Sequence, residues 1–301
     1  MTDAVGFVGL GNMGWPMARH LAAAGLALTV FDLRGDVSAR FAAEHGATAA
    51  GDIGKLFTGA DIVVTMLPNG KAVRAAVEAG LAAAGTRTGR LLVDMSSSAP
   101  HETVELAGVV AAAGYDLVDA PVSGGVVRAE SGDLCILAGG DAAAVNRCAP
   151  LFAAMGRETF RVGPVGAGHA MKALNNVMSA AGLLLAAETL LVGRRYGLAP
   201  ETMLDVLNSS TGMNHATRTK IAQFVLSGTY ASGFALDLMV KDLAIAAGIA
   251  REAGAPYLLG GLVTSVWELA KGQVPAGSDQ MVLVRWLEDL AATRLAHDPA
   301  S

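Results

Sequence analysis

Five short apolar runs recur through the first half of the chain: Val5 to Leu10, Ala27 to Asp32, Ile62 to Met66, Leu91 to Met95 and Leu117 to Pro121. Longer alanine-rich stretches separate them. Runs of this length without polar alternation are what strands look like when both faces of their sheet are covered, and the stretches between them have the length of crossover helices. The pattern predicts a doubly wound, mainly parallel α/β sheet. Two more strand-like runs, Leu134 to Ala138 and Thr159 to Val162, extend the sheet and leave room for an antiparallel edge.

After Gly163-Pro164 the alternation stops and helical periodicity takes over. A boundary there divides the chain into a sheet domain, 1–164, and an all-helical C-terminal domain, 165–301. A helix from Gly168 to Tyr196 follows the boundary, stopped by Gly197 and Pro200. At about 28 residues it runs roughly 40 Å, long enough to join two domains. Shorter helices are expected at 201–208, 214–227, 236–254, 257–271 and 279–295.

With 52% hydrophobic and 16% charged residues, disorder is excluded and a membrane span has to be weighed. The most apolar run, Ala173 to Ala187, is interrupted by Asn175, Asn176 and Ser179 and falls short of the roughly 18 to 20 apolar residues a bilayer demands. It reads as a buried helix, with no membrane partner. Met1 to Ala4 carries an acid and no basic region of the secretory kind, so the expected location is cytoplasmic. A net charge of -5 without a basic block argues against nucleic acid as partner. Cys135 and Cys148 lack CxxC spacing and read as thiols packed as small hydrophobes. His20, His45, His101, His169, His215 and His297 form no metal-ligand pair, and no metal site is expected.

The first run ends in Gly9-Leu10-Gly11-Asn12-Met13-Gly14, a GxGxxG loop opening into a helix through Met17, Leu21 and Ala24. Gly9 permits the tight turn, Gly11 lets backbone approach a pyrophosphate, and Gly14 lets the helix pack on the strand. The helix N-terminus then offers free amides to the anion. Asp32 closes the second run 18 residues after Gly14, where a carboxylate accepts hydrogen bonds from the ribose hydroxyls of NAD. Alternatively it caps the strand end. A carboxylate there repels a 2′-phosphate, which predicts NAD rather than NADP; Arg34, two residues on, works in the opposite sense.

Between Val162 and Ala187, Lys172 is the only Asp, Glu, Lys or Arg. On a helix Lys172, Asn175, Asn176 and Ser179 fall at i, i+3, i+4 and i+7 and form one polar stripe on an apolar rod. Either the stripe lines a cleft or it faces solvent; a solvated face normally carries several charges. Desolvation destabilises an ammonium ion and brings a lysine toward the range where it gives and takes protons near neutrality. Asn175 and Asn176 hold a hydroxyl without competing for its proton.

These residues resemble the β-hydroxyacid dehydrogenases, the family of 3-hydroxyisobutyrate dehydrogenase and tartronate semialdehyde reductase. Four motifs match in order: the glycine loop with Pro16-Met17-Ala18, then Asp119-Ala120-Pro121-Val122-Ser123-Gly124-Gly125, then Gly166-Ala167-Gly168 leading to Lys172 and Asn176, and last Lys241-Asp242-Leu243. The resemblance implies that Ser123, Gly124 and Gly125 hold a substrate carboxylate, that Lys172 is the acid and base with Asn176 beside it, and that Lys241 approaches nicotinamide and substrate. It also implies cofactor contacts at Leu67, Pro68 and Ser97. Exposed glycine amides and a hydroxyl do make an anion cradle, although Pro121 to Gly125 also has the composition of a plain turn. Asp237 and Lys241 have the spacing of a surface ion pair. In Asp94-Met95-Ser96-Ser97-Ser98-Ala99-Pro100, serine and alanine stand where members often carry threonine and a second acid.

The implied activity is NAD-dependent oxidation of a small 3-hydroxy acid by a homodimer or homotetramer. A tartronate semialdehyde or glyoxylate reductase is an alternative. An imine reductase of the same architecture generally lacks the lysine, a phosphogluconate-type enzyme calls for a clearer basic cluster, and a noncatalytic dinucleotide sensor usually loses the lysine or the substrate loop. Arg128 and the stretch Asn208 to Asn214 are expected to shape specificity.

Overall fold

The structure is a computed structural model and describes residues 3–296, so that His297 lies outside the described residues. The chain begins β1 (Val5–Val8), α1 (Gly14–Ala23), β2 (Leu28–Phe31), α2 (Gly35–His45), β3 (Thr48–Ala49), α3 (Ile53–Gly59) and β4 (Ile62–Thr65). It continues through α4 (Gly70–Ala84), β5 (Arg90–Asp94), α5 (Pro100–Ala112), β6 (Tyr115–Asp119), β7 (Val122–Ser123), α6 (Gly125–Ser131) and β8 (Leu134–Gly139). Then come α7 (Ala142–Arg147), α8 (Ala149–Met155), β9 (Gly156–Gly163) and the long α9 (Ala167–Tyr196). The remainder is α10 (Pro200–Asn208), a π-helical segment Ala216–Leu226, α11 (Leu236–Glu252), α12 (Leu258–Lys271) and α13 (Val282–Leu290). Two compact units emerge, Met1–Lys172 and Ala173–Ser301, divided inside α9.

The first unit is built on one nine-stranded sheet in the order β3-β2-β1-β4-β5-β6-β8-β7, with β9 beside β8. Strands β1 to β6 are mutually parallel, β8 runs antiparallel to β6 and β7, and β9 is parallel to β8. Side chains alternate between two cores, which is why the strands are apolar throughout. Phe7, Val64 and Val93 enter the core on one face, and their neighbours Val8, Val63 and Leu92 enter the core on the other. Strand order reverses between β1 and β4, so the crevice of this sheet opens at the carboxyl ends of those two strands.

In the second unit the described residues form helices and a single isolated bridge, Ala235 to Asp279, around a core that includes Trp267, Leu183 and Ile221. Several elements depart from the sequence pattern, β7 and α6 to α8 among them. The two-residue strand β3 is too short to leave a periodic signal. The segment expected as an ordinary helix at 214–227 winds as a π-helix, and nothing in its composition marks the wider turn. The last helix is shorter than 279–295: it starts at Val282 after a turn in which Asp279 accepts from Met281 N at 2.9 Å, and it ends at Leu290, beyond which the buried Glu288 draws in Leu295 N at 2.8 Å and the Tyr230 hydroxyl.

α9 has 30 residues. The run Ala173 to Ala187 falls short of a bilayer's demand, but the whole helix is long and apolar enough to cross one by length and composition, with 50% of its most apolar window buried inside the protein. A buried carboxylate anchors its start. Asp119, at the end of β6, accepts from Gly166 N at 2.8 Å and His169 N at 2.9 Å, satisfying amides that the first turn leaves open and placing negative charge at the positive end of the helix. Gly168 permits the approach, since a Cβ there would lie 2.3 Å from Leu137 O and 2.6 Å from Asp119 O. Burial pushes the Asp119 carboxyl up, and the neighbouring His169 ring and the two amides offset only part of that. Replacing Asp119 by alanine leaves both buried donors without their acceptor. Urea denaturation is expected to show a loss of about 2 to 4 kcal/mol, and a loss below about 0.5 kcal/mol would contradict this role.

Candidate active site

Two of the predicted positions, Gly9 and Asp32, stand together at the carboxyl edge of the parallel sheet, level with Met66 and Met95, which lead into the predicted Leu67 and Ser97. In the strand register Val8 pairs with Phe31 and Thr65, and Thr65 pairs with Asp94, so Gly9, Asp32, Met66 and Met95 each follow directly at one level. The glycine loop is shaped by contacts of very different kinds. Gly9 has φ +99°, and a Cβ on it would lie 2.4 Å from Met66 O; a Cβ on Gly14 would lie 1.9 Å from Gly9 O. Both are demanded by the fold. Gly11 is not: its φ is ordinary and a Cβ there meets nothing within 4 Å. The protein leaves that space open where a pyrophosphate would meet the amides at the start of α1, so the loop fits a dinucleotide.

Asp32 is held in place by this loop. Its Oδ2 accepts from Leu10 N at 2.8 Å, and its Oδ1 accepts from Arg34 N at 3.0 Å and from Arg34 Nε at 3.4 Å. Partial burial alone would raise its carboxyl, but the two amides and the guanidinium outweigh it and hold it below the usual range. Leu67 is tied to the next strand by donating its amide to Ser96 Oγ at 2.9 Å; Leu67 and Ser97 are half-buried and Pro68 is exposed. Asn12 is exposed and Met13 half-buried on the open side of the loop.

Beneath this edge lies a polar cluster that the sequence motifs did not single out. Asp94 accepts from Thr65 Oγ1 at 2.9 Å, Ser96 N at 3.0 Å and Ser98 Oγ at 3.1 Å. The His169 ring, fully enclosed, lies with Nε2 at 3.7 Å from Asp94 Oδ2, Nδ1 at 3.8 Å from Asp119 Oδ2, and Nδ1 at 2.7 Å from Thr103 Oγ1. The cluster joins the ends of β5 and β6 to the first turn of α9, one turn before Lys172. A lone histidine among apolar residues carries no sequence signal that separates this packing from an ordinary core position.

The polar stripe of α9 faces inward. Asn176 is buried, and Lys172, Asn175 and Ser179 are half-buried, whereas Met171, Leu174 and Met178 between them are exposed. The arrangement is the reverse of a solvated helix face. In the first unit Ser123 pairs in register with Cys135, whose thiol lies within electrostatic reach of both Lys172 and Arg128; burial and then Glu158 nevertheless push that thiol up. The structure therefore brings Lys172 and the loop at Ser123 to one patch of this unit. Gly124 and Gly125 have φ of +137° and +66°, conformations that suit glycine and turn the backbone beside Ser123.

In the second unit Asn176 Nδ2 donates to Asp242 Oδ2 at 2.5 Å, and Lys241 Nζ lies 3.4 Å from Asp242 Oδ1. Asp242, with relative exposure of 1%, is thus the residue that orients Asn176. Its position in the Lys241-Asp242-Leu243 motif was the available signal, but sequence reasoning gave the role to the lysine alone. The spacing of Asp237 and Lys241 does not produce an ion pair between them: Asp237 meets Lys271 at 3.1 Å. Lys220, on the π-helical segment, donates to Ser179 Oγ at 3.0 Å. Of the two thiols, Cys148 is buried and Cys135 is only half-buried in the sheet.

Residues 4–163 match the family described as the NAD binding domain of 6-phosphogluconate dehydrogenase, and residues 166–287 match the NAD-binding region of NADP-dependent 3-hydroxyisobutyrate dehydrogenase. The chain is 34% identical to 2-(hydroxymethyl)glutarate dehydrogenase of Eubacterium barkeri over 97% of each chain. It is 37% identical to 3-hydroxyisobutyrate dehydrogenase of Pseudomonas aeruginosa over 89% of this chain and 92% of the relative. The chain belongs to the β-hydroxyacid dehydrogenase family. The solved 3-hydroxyisobutyrate dehydrogenase of Mycobacterium tuberculosis with L-serine superposes with a TM-score of 0.87 at 31% identity, covering 95% of this chain and 99% of that one.

As a β-hydroxyacid dehydrogenase the protein is an NAD(P)-dependent oxidoreductase acting on CH–OH groups, and its glycine loop gives the family assignment a physical test. Because the fold makes no demand on Gly11, Gly11→Ala should melt within about 2 °C of the parent, while the added methyl crowds the pyrophosphate and weakens NAD binding at least about tenfold. Calorimetric titration with unchanged NAD affinity would show that the open space serves something else.

Proposed function

We propose that the protein moves a hydride between the C3 hydroxyl of a small 3-hydroxy acid, of the 3-hydroxyisobutyrate kind, and NAD, with Lys172 as general acid and base. The observation that carries this reading is the inward polar face of α9, whose one charged residue shares a patch with the Ser123 loop. The relatives named for 3-hydroxyisobutyrate and 2-(hydroxymethyl)glutarate act on compounds that share a hydroxymethyl group on the carbon bearing a carboxylate. This common fragment supports the substrate class.

Each residue has a part in the proposed chemistry. The Ser123 hydroxyl and the amides at Gly124 and Gly125 take the carboxylate, an anion cradle without a full charge. Lys172 accepts the proton of the C3 hydroxyl as hydride departs from C3, and returns it in the reverse direction. Asn176, fixed by Asp242 and one turn along the helix from Lys172, steadies the oxygen, with Asn175 beside it, and Lys241 supports Asn176 through the same Asp242. Gly9, Gly11 and Gly14 hold the pyrophosphate together with the backbone of Leu10, Asn12 and Met13. Asp32 meets the adenosine ribose, and Leu67, Pro68 and Ser97 flank the cofactor. Bound NAD supplies the acceptor for the hydride. An ionised Asp32 disfavours a 2′-phosphate, which supports NAD over NADP even though Arg34 leans against the same carboxylate.

Steady-state kinetics on the wild type and Lys172→Ala tests this reading. The variant should lose about two to four orders of magnitude in kcat on 3-hydroxyisobutyrate while keeping NAD affinity within about twofold, and in the wild type kcat/KM with NAD should exceed that with NADP. Near-normal turnover in the variant would remove Lys172 from the chemistry; an NADP preference would reverse the cofactor assignment.

A further inference from the structure

We propose that Arg128 selects substrates carrying a second anionic group, so that the preferred 3-hydroxy acid is a dianion; this rests on the reaction assigned above and adds the charge of its side group. Arg128 is the fourth residue of α6, the helix that starts at Gly125 directly after the carboxylate cradle. Its stem lies over the cradle itself. A Cβ on Gly124 would stand 2.6 Å from Arg128 Cδ and 2.7 Å from Arg128 Cβ, so glycine at 124 is what allows the arginine to fold back across the loop. The side chain is half-buried, and its charge is felt at Cys135, the register partner of Ser123, together with that of Lys172.

A half-buried guanidinium normally has a carboxylate. Among the described residues none pairs with Arg128. The acids nearby are engaged elsewhere: Glu130 with Arg19 at 2.8 Å, Asp133 with Arg157 at 3.8 Å, and Glu158 with Arg157 at 3.9 Å. The cradle at Ser123 to Gly125 already suffices for one carboxylate through a hydroxyl and backbone amides, which leaves the arginine's two-pronged donor set for a different acidic group on the same molecule. Arginine keeps its charge at every working pH, so it can bind an anion beside Lys172 without taking part in the proton transfer.

Two probes differ in this one feature: 3-hydroxy-2-methylpropanoate, a monoanion, and 2-(hydroxymethyl)butanedioate, which adds a carboxylate to the methyl group. For the wild type, kcat/KM on the dianion should exceed that on the monoanion. In Arg128→Gln the dianion-to-monoanion ratio should fall about 50-fold, the usual worth of a charge-assisted pair, and Arg128→Lys should fall between. A wild type that prefers the monoanion, or a ratio unchanged in Arg128→Gln with both acids slowed equally, overturns the proposal and leaves the reaction assignment standing. Turnover of neither acid, with NAD bound, overturns the reaction assignment and this inference with it.

Discussion

A single carboxylate, that of Asp119, fixes the geometry on which the rest of the first unit depends. It closes the last strand of the parallel series, opens the loop that leads to Ser123, and holds the first turn of α9 through two amides. Such an anion at a helix N-terminus is stabilised by the helix as well as stabilising it. The packing leaves the joint no slack: a Cβ on Gly139 would lie 2.6 Å from Asp119 Oδ1, and Gly168 is pressed against the backbone of β6 and β8. Lys172 follows His169 by one turn, so its position relative to the Ser123 loop is inherited from this joint.

Function is then distributed according to the kind of charge each place can tolerate. At the switch point between β1 and β4 the sheet offers open backbone amides and an ionised Asp32, suited to a pyrophosphate and a ribose. At the Ser123 loop, where we propose that the substrate binds, the groups are a hydroxyl, amides, a lysine that can exchange a proton and an arginine that cannot. The buried cluster of Asp94, His169 and Thr103 ties β5, α5 and α9 together and reaches the sheet edge through Ser96, which Asp94 holds and to which Leu67 donates. In the second unit Asp242 does the equivalent for Asn176.

The sheet was legible in the sequence because both of its faces are covered: Phe7 and Val8 enter opposite cores, so every strand residue must be apolar and the run stands out. The glycine loop was legible because Gly9 and Gly14 answer to steric demands that no other residue meets. Lys172 was legible as the one charge on an apolar rod. His169, Asp94 and Asp242 were not, because their importance comes from burial among partners brought from distant strands and helices, and local spacing carries no trace of that. The early end of α13 escaped for the same reason, since Tyr230 reaches Glu288 from 58 residues away, and the π-helical winding of Ala216–Leu226 has no mark in its composition. The inward direction of the polar stripe was open between two readings until burial decided it.

The most direct measurement of the central claim is the pH dependence of kcat/KM for hydroxy-acid oxidation in the wild type and in the residual activity of Lys172→Gln. An amine that must be neutral to accept the hydroxyl proton gives a rate that falls as pH falls, so the wild-type profile should show an acidic limb and the variant should lack it. An identical acidic limb in both proteins would contradict the account, since another group would then be taking the proton.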